Sequence, residues 1–278
     1  MGSRIRDNHC EHIHMIQYSG RLFRLISGIA CAFLVSQASA DSIKIGQKAE
    51  VGSWQLRQEL TTDDRGRQSA QEVRTSIVGE EERDGIAYVW VEMVMQPYSV
   101  DKKGNQKPSG DRTIIKTLVE KQLFSGDIAN VFNNLRGIGK EMIMQQGDGD
   151  PMAIEEGGMM ADTLLKSMGS EVNFDFKEVG REKVTTPAGS FDARIIDGSG
   201  TMEMKVFVKT IRVNSRSRQW VSDKVPFGIV KYETESEMDG KVSKVSGSVI
   251  EYGASGAKSL ITKTPQKLQI PSLPFFGG

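Results

Sequence analysis

The stretch Ile86–Gln96, IAYVWVEMVMQ, is written for two faces. Ala87, Val89, Val91, Met93 and Met95 fall on one, and Tyr88, Trp90, Glu92, Val94 and Gln96 fall on the other. A period of two with one wholly apolar face specifies a β-strand laid on a core. The pattern recurs. Val73, Thr75 and Ile77 alternate before it, and 112–124 is a rougher candidate rich in Thr, Ile and Val. Val172, Phe174 and Phe176 alternate with polar neighbours, as do Met202, Met204, Val206 and Val208. Segments 219–222, 227–235 and 241–252 complete a C-terminal series. Turn formers stand between these runs: Glu82-Arg83-Asp84-Gly85, Pro187-Ala188-Gly189-Ser190, Asp197-Gly198-Ser199-Gly200 and Met238-Asp239-Gly240. Short strands joined by such turns predict antiparallel hairpins rather than parallel crossovers.

One region changes period. From Ile128, apolar residues fall at Val131, Phe132, Leu135, Ile138, Met142 and Ile143, a helical stripe that Gly147–Pro151 (GDGDP) ends. A second helical stretch carries Met159, Met160, Leu164, Leu165 and Met168. The expected fold is therefore mainly β. It is a curved antiparallel half-open barrel, with the apolar faces of its strands lining the concave side and two inserted helices closing over it as a lid.

The N-terminus reads as a secretory signal. Arg21 and Arg24 precede an apolar run from Leu25 to Val35, and Ser36–Ala40 (SQASA) is a small-residue cleavage site. The run is shorter than the roughly 20 residues of a membrane-spanning helix. Met15 is an alternative start. Cys31 does not read as a lipoprotein acylation site, because Gly28-Ile29-Ala30 lacks the usual Leu and the apolar run continues past it. The expected organisation is a signal peptide over 1–40, one domain over 41–253, and an extended or disordered tail over 254–278 with Pro265, Pro271 and Pro274. The expected location is periplasmic, with no transmembrane segment after cleavage.

Cleavage changes the chemistry available. Both cysteines (Cys10, Cys31) and all three histidines (His9, His12, His14) lie in the removed part. The remaining 238 residues can form no disulfide, no His-dependent catalytic triad and no zinc site of the usual kind. They carry 32 basic and 34 acidic residues, without the basic stripe that nucleic-acid binding needs. Local motifs fail on inspection. GDGDP lacks the ligand spacing of a calcium loop, and Gly137-Ile-Gly139-Lys140 lacks the third glycine of a phosphate loop. Ser99-Val-Asp-Lys102 matches the serine–lysine pattern but falls in a hairpin loop. No carboxylate pair is singled out for glycosidase work. The expectation is a protein with no catalytic residues, no metal and no cofactor.

The methionines remain. Three M-x-M pairs occur, Met93/Met95, Met142/Met144 and Met202/Met204. Two residues apart share a face on a strand but not on a helix, so the helical reading of Met142/Met144 sets that pair aside. Thioethers can hold Cu(I), but flexible Met side chains more commonly fill cores and line apolar cavities. The candidates for a ligand cavity on the sheet are Val91, Met93, Met95, Phe174, Phe176, Met202 and Met204. Leu135 and Met160 are the candidates on the lid.

Two segments carry a family resemblance. Val184–Ala193 contains TPAGSF, and Trp220–Lys231 reads WVSDKVPFGIVK. Together they resemble exported bacterial proteins related to the lipoprotein-carrier fold, of the LolA, LolB and LppX type. The resemblance implies a half-barrel that binds lipid or acyl chains in the periplasm, and it brings no binding residue with it. The expected function is non-catalytic binding of a lipid, acyl chain or other hydrophobic ligand, with envelope proteins as further partners. The other reading is an envelope assembly protein that acts through its tail, with no cavity. Within WVSDKVPFGIVK itself, Pro226 lacks the N–H of a central strand, so the segment is expected to be a corner between strands.

Overall fold

The computed structural model describes residues 49–122, 140–155, 171–206 and 209–267. The expected signal peptide, Leu135 and Met160 lie outside them.

The regular structure described is a single sheet of thirteen strands. In chain order they are β1 (Trp54–Thr62), β2 (Gln68–Arg83), β3 (Ile86–Val100), β4 (Gln106–Pro108), β5 (Thr113–Glu120), β6 (Glu141–Gln146) and β7 (Met152–Glu155). There follow β8 (Glu171–Thr186), β9 (Gly189–Val206), β10 (Lys209–Val221), β11 (Ile229–Met238), β12 (Lys241–Gly253) and β13 (Gln266–Lys267). The order across the sheet is β13-β7-β6-β5-β3-β2-β1-β12-β11-β10-β9-β8, with β4 added to β3. Every pairing is antiparallel except β13 with β7. The sheet is open, ending at β8 and β13. It curls, because β8 comes back against β11 and β12 without being hydrogen-bonded to either. Mainly antiparallel β is thus the observed class.

The two-helix lid finds no support in the described residues. The second predicted helix lies outside them, and so does most of the first. At its end, Glu141–Gln146 is a strand paired to β5 on one side and β7 on the other. The local spacing suits a helix, but two flanking strands supply hydrogen bonds that override it. GDGDP remains a loop, as the connection between β6 and β7 rather than a helix stop.

A second correction concerns Asp197-Gly198-Ser199-Gly200. These are turn residues by composition, yet they lie inside β9. Gly198 faces Phe176 across the ladder, and Gly200 faces Phe174. A Cβ on Gly198 would sit 2.2 Å from the Phe176 ring. The glycine gives no side chain so that the ring can lie flat on the strand. Gly247 does the same for Tyr232, whose ring would be 2.4 Å from an added Cβ.

Residues 254–267 form a strap tied across the sheet. Ala257 N donates to Gly52 O (2.8 Å), and Leu260 N donates to Glu92 Oε1 (3.0 Å). Lys263 Nζ meets Asp150 Oδ1 (3.0 Å), and Gln266 N donates to Pro151 O (2.8 Å). The strap thus runs from the start of β1 over β3 to the β6–β7 loop.

Between β10 and β11 the corner is real. Residues 222–228 turn the chain, with Ser222 N donating to Gly228 O at 2.8 Å. Phe227 sits at φ 63°, a left-handed conformation that a bulky residue rarely adopts. It packs against Ile77, Val89, Val91 and Val119, on β2, β3 and β5. The corner's other residues Trp220, Val225 and Val230 form a core cluster with Phe191 and Ala193. The two motif segments therefore meet in space.

Candidate functional site: the inner face and its groove

One face of the sheet is mostly buried from β12 through β5, half-buried on β6 and exposed at Met152 on β7, and cross-strand register shows which residues share it. Thr75, Met93, Ile115, Met144 and Met152 are successive partners across β2, β3, β5, β6 and β7. Ile77, Val91, Thr117 and Met142 form the adjacent row. We refer to this side as the inner face. Because β6 is a strand, Met142 and Met144 do share a face with each other and with Met93 and Met95. The helix that would have parted Met142 from Met144 is absent at these residues.

The same face continues through the other half of the sheet. Phe174 and Phe176 stand on it from β8, and Met202 follows Gly198 and Gly200 along β9. Val91, Met93, Met95, Phe174 and Phe176 are buried, and Met202 is half-buried. Met204 is placed on β9 opposite Ile211. The candidates on described strands therefore stand on one continuous surface, at separated places on it.

A groove of about 1220 Å³ crosses the curled half. Phe176, Gly198, Ser217, Thr234 and Val245 are consecutive cross-strand partners, and all five line it. Of the predicted cavity residues on described strands, Phe176 is the one among the groove's lining. The walls are mixed. Leu60, Phe176, Val179 and Val245 are apolar, while four acids (Asp175, Asp197, Glu233, Glu235) and four bases (Lys177, Arg216, Arg218, Lys244) balance in charge.

Several of those charges are paired. Arg218 donates to both oxygens of Asp197, at 2.6 and 2.7 Å, and Lys244 meets Glu235 at 3.0 Å. The Arg218 hydrogen bond holds the Asp197 carboxyl below its ordinary value of 3.8, against a smaller opposing effect of burial. A depressed folded pKa stabilises above the unfolded value and is lost as pH falls through the folded one. Both side chains are substantially exposed, so solvent screens the pair. Asp197→Asn is therefore expected to lower Tm by only about 1–2 °C at pH 7. In a thermal-unfolding series, that gap should close as pH drops below 3.8.

Sequence reasoning missed one feature of the inner face altogether. The segment WQLRQEL opens β1, and simple patterning would bury Trp54, Leu56 and Leu60. The structure instead buries the alternate set, Gln55, Arg57 and Glu59, at 1%, 4% and 2% exposure. The three apolar residues are only half-buried, and Trp54 carries the Arg74 guanidinium 4.5 Å above its ring. The composition of the strand contains no signal for this inversion, which follows from register with β2 and β12.

Among the described residues, no group of three or more His, Cys, Asp or Glu is placed to hold a metal ion. No helix among them is long and apolar enough to cross a membrane.

Comparison with known proteins gives three findings. No curated protein matches the chain with significance. Two solved structures are similar to it at low TM-score. One, from Parabacteroides distasonis ATCC 8503 and provisionally described as a lipoprotein, is 14% identical, covers 77% of this chain and 100% of its own, and has a TM-score of 0.35. The other, from Bacteroides fragilis NCTC 9343 and provisionally described as an exported protein with a YmcC-like fold, is 11% identical, covers 76% and 99%, and has a TM-score of 0.34. Residues 141–249, which include both TPAGSF and WVSDKVPFGIVK, match the family model described as DUF3108-like.

Proposed function

We propose that this is an exported, non-catalytic binding protein of the bacterial periplasm whose inner face takes a lipid, acyl chain or other hydrophobic molecule. The observation that supports this reading is that all three M-x-M pairs stand on one face of the sheet, though apart on it, with Met152 beside the β6 pair. A core that serves stability alone is best specified by branched residues with fixed rotamers. Unbranched thioether side chains instead adapt to partners of varying shape. The signal-like N-terminus supports export, and the resemblance of the two motif segments to lipoprotein carriers points to the same ligand class. Binding would proceed by partition, at about 0.8 kcal/mol for each methylene withdrawn from water. The groove at Phe176 offers such a chain a way onto the face from solvent.

The test is direct. Mature protein purified from the periplasm is extracted with organic solvent, and the extract is analysed by mass spectrometry beside a mock purification. A stoichiometric apolar molecule is expected, together with saturable binding of a hydrophobic dye by the stripped protein. A ligand-free protein that takes up no dye removes this function.

A further inference from the structure

On the inner face, β1 presents Gln55, Arg57 and Glu59 at two-residue spacing, a row about 13 Å long. All three are more than nine-tenths buried. Their mutual contacts are sparse. Arg57 Nη2 stands 3.7 Å from Glu59 Oε1, beyond hydrogen-bonding distance, and the Arg57 guanidinium carbon lies 5.8 Å from the Tyr232 ring centre. Glu59 Oε2 accepts from Gln71 Nε2 at 2.6 Å. Four polar atoms in the row have no hydrogen-bond partner: Gln55 Nε2, Gln55 Oε1, Arg57 Nε and Glu59 Oε1. Each such atom carries an uncompensated desolvation penalty when buried, and folded proteins keep few of them. Four in one row mark a place where hydrogen bonds are on offer.

The chemistry on offer is specific. Two of the atoms are donors and two are acceptors, and the charges of Arg57 and Glu59 cancel. A carboxylate entering here would meet Glu59, and an ammonium would meet Arg57. Either would bring an unbalanced charge into a site withdrawn from water. A group that is uncharged and both donates and accepts meets no such penalty. The surroundings suit the rest of such a molecule. Arg57 stands between Val249 and Val73 in the ladders, and Met95 follows Val73.

We infer that this row recognises the uncharged hydrogen-bonding head, hydroxyl or amide, of an amphiphile whose apolar part lies on the methionine rows. The inference rests on the reading of the inner face as a surface for hydrophobic ligands, and it adds which head that ligand carries.

Three probes with twelve-carbon chains, each below its micelle concentration, are titrated into wild-type mature protein against a bound hydrophobic dye. They are monolauroylglycerol, laurate and dodecylamine, of which the last two are charged at pH 7. Monolauroylglycerol is expected to bind at least about tenfold more tightly than either, because a charged head would leave buried polar groups of the row unpaired. Gln55→Leu should reduce that preference to about threefold or less while dye binding persists. Equal binding of all three probes, or a preference for a charged one, overturns the head-group assignment and leaves hydrophobic binding standing. Failure of all three to bind removes both. If Gln55→Leu does not fold, the wild-type series decides alone.

Discussion

Gly198→Ala is expected to lower Tm by roughly 5–10 °C, a large effect for one methyl group. The added Cβ would fall 2.2 Å from Phe176 Cε1 and 2.5 Å from Cδ1, separations that no real contact tolerates. The ring cannot step aside freely, because Phe176 is 1% exposed and Phe174 stands 6.2 Å from it, centre to centre. Overpacking of this sort costs about 1–3 kcal/mol, and each kcal/mol is worth about 2–4 °C at this size. Phe176→Ala alone should cost more, about 3–5 kcal/mol, because it leaves a void over the glycine. The informative result is the double variant. With the ring gone, the methyl at 198 has no clash, and alanine is a better strand residue than glycine by about 0.5–1 kcal/mol. Gly198→Ala in the Phe176→Ala background should therefore be neutral or slightly stabilising, giving a coupling of about 2–3 kcal/mol in denaturant unfolding. Additive penalties would mean that the ring and the glycine do not form one unit.

That pair also explains where sequence reading succeeds and where it stops. Ile86–Gln96 is legible because one strand's own alternation declares it, and the turns at Asp84-Gly85 and Asp239-Gly240 declare themselves by composition. Asp197-Gly198-Ser199-Gly200 has the same composition and the opposite fate. What decides it is two aromatic rings on the neighbouring strand, more than twenty residues earlier in the chain, and no local window contains both. Met142 and Met144 fail for a related reason. Their stripe is compatible with helix or strand, and only Ile115 and Thr117 across the ladder choose. The Gln55–Arg57–Glu59 row is the least legible of all, because alternation gives two faces without saying which is buried. Period two groups Val91 with Met93 and Met95, Phe174 with Phe176, and Met202 with Met204, each within a single strand. That the three groups share a face, and how far apart they stand, depends on strand order and register, which the sequence does not display.

The strap gives the second large expected effect. Glu92 stands on the face opposite Met93 and is 1% exposed. A buried carboxylate is tolerable only when its oxygens are hydrogen-bonded. Here the strap supplies the donors: Ser259 Oγ at 2.6 Å from Oε2, and Leu260 N at 3.0 Å from Oε1 and 3.1 Å from Oε2. Hydrogen bonds to a charged group contribute about 1.5–3 kcal/mol each to the state that contains them. Glu92→Leu removes all of them; the Ser259 hydroxyl can turn to Ile261 O, 3.3 Å away, but the Leu260 amide is left without an acceptor. The cheapest way to satisfy that amide is for the strap to leave the sheet, not for the sheet to unfold. Opening of the strap should then become easier by about 1.5–3 kcal/mol, roughly 10- to 150-fold in population. Lys258 and Lys263 lie on this segment, so trypsin reads the opening directly. Cleavage after those two lysines should accelerate by that factor, while Tm falls by only a few degrees. Glu92→Gln, which keeps one acceptor oxygen, should fall between the two. Equal acceleration of cleavage throughout the chain would show that Glu92 supports the whole sheet rather than the strap. Unchanged cleavage would show that the strap is held by its other ties at Ala257, Lys263 and Gln266.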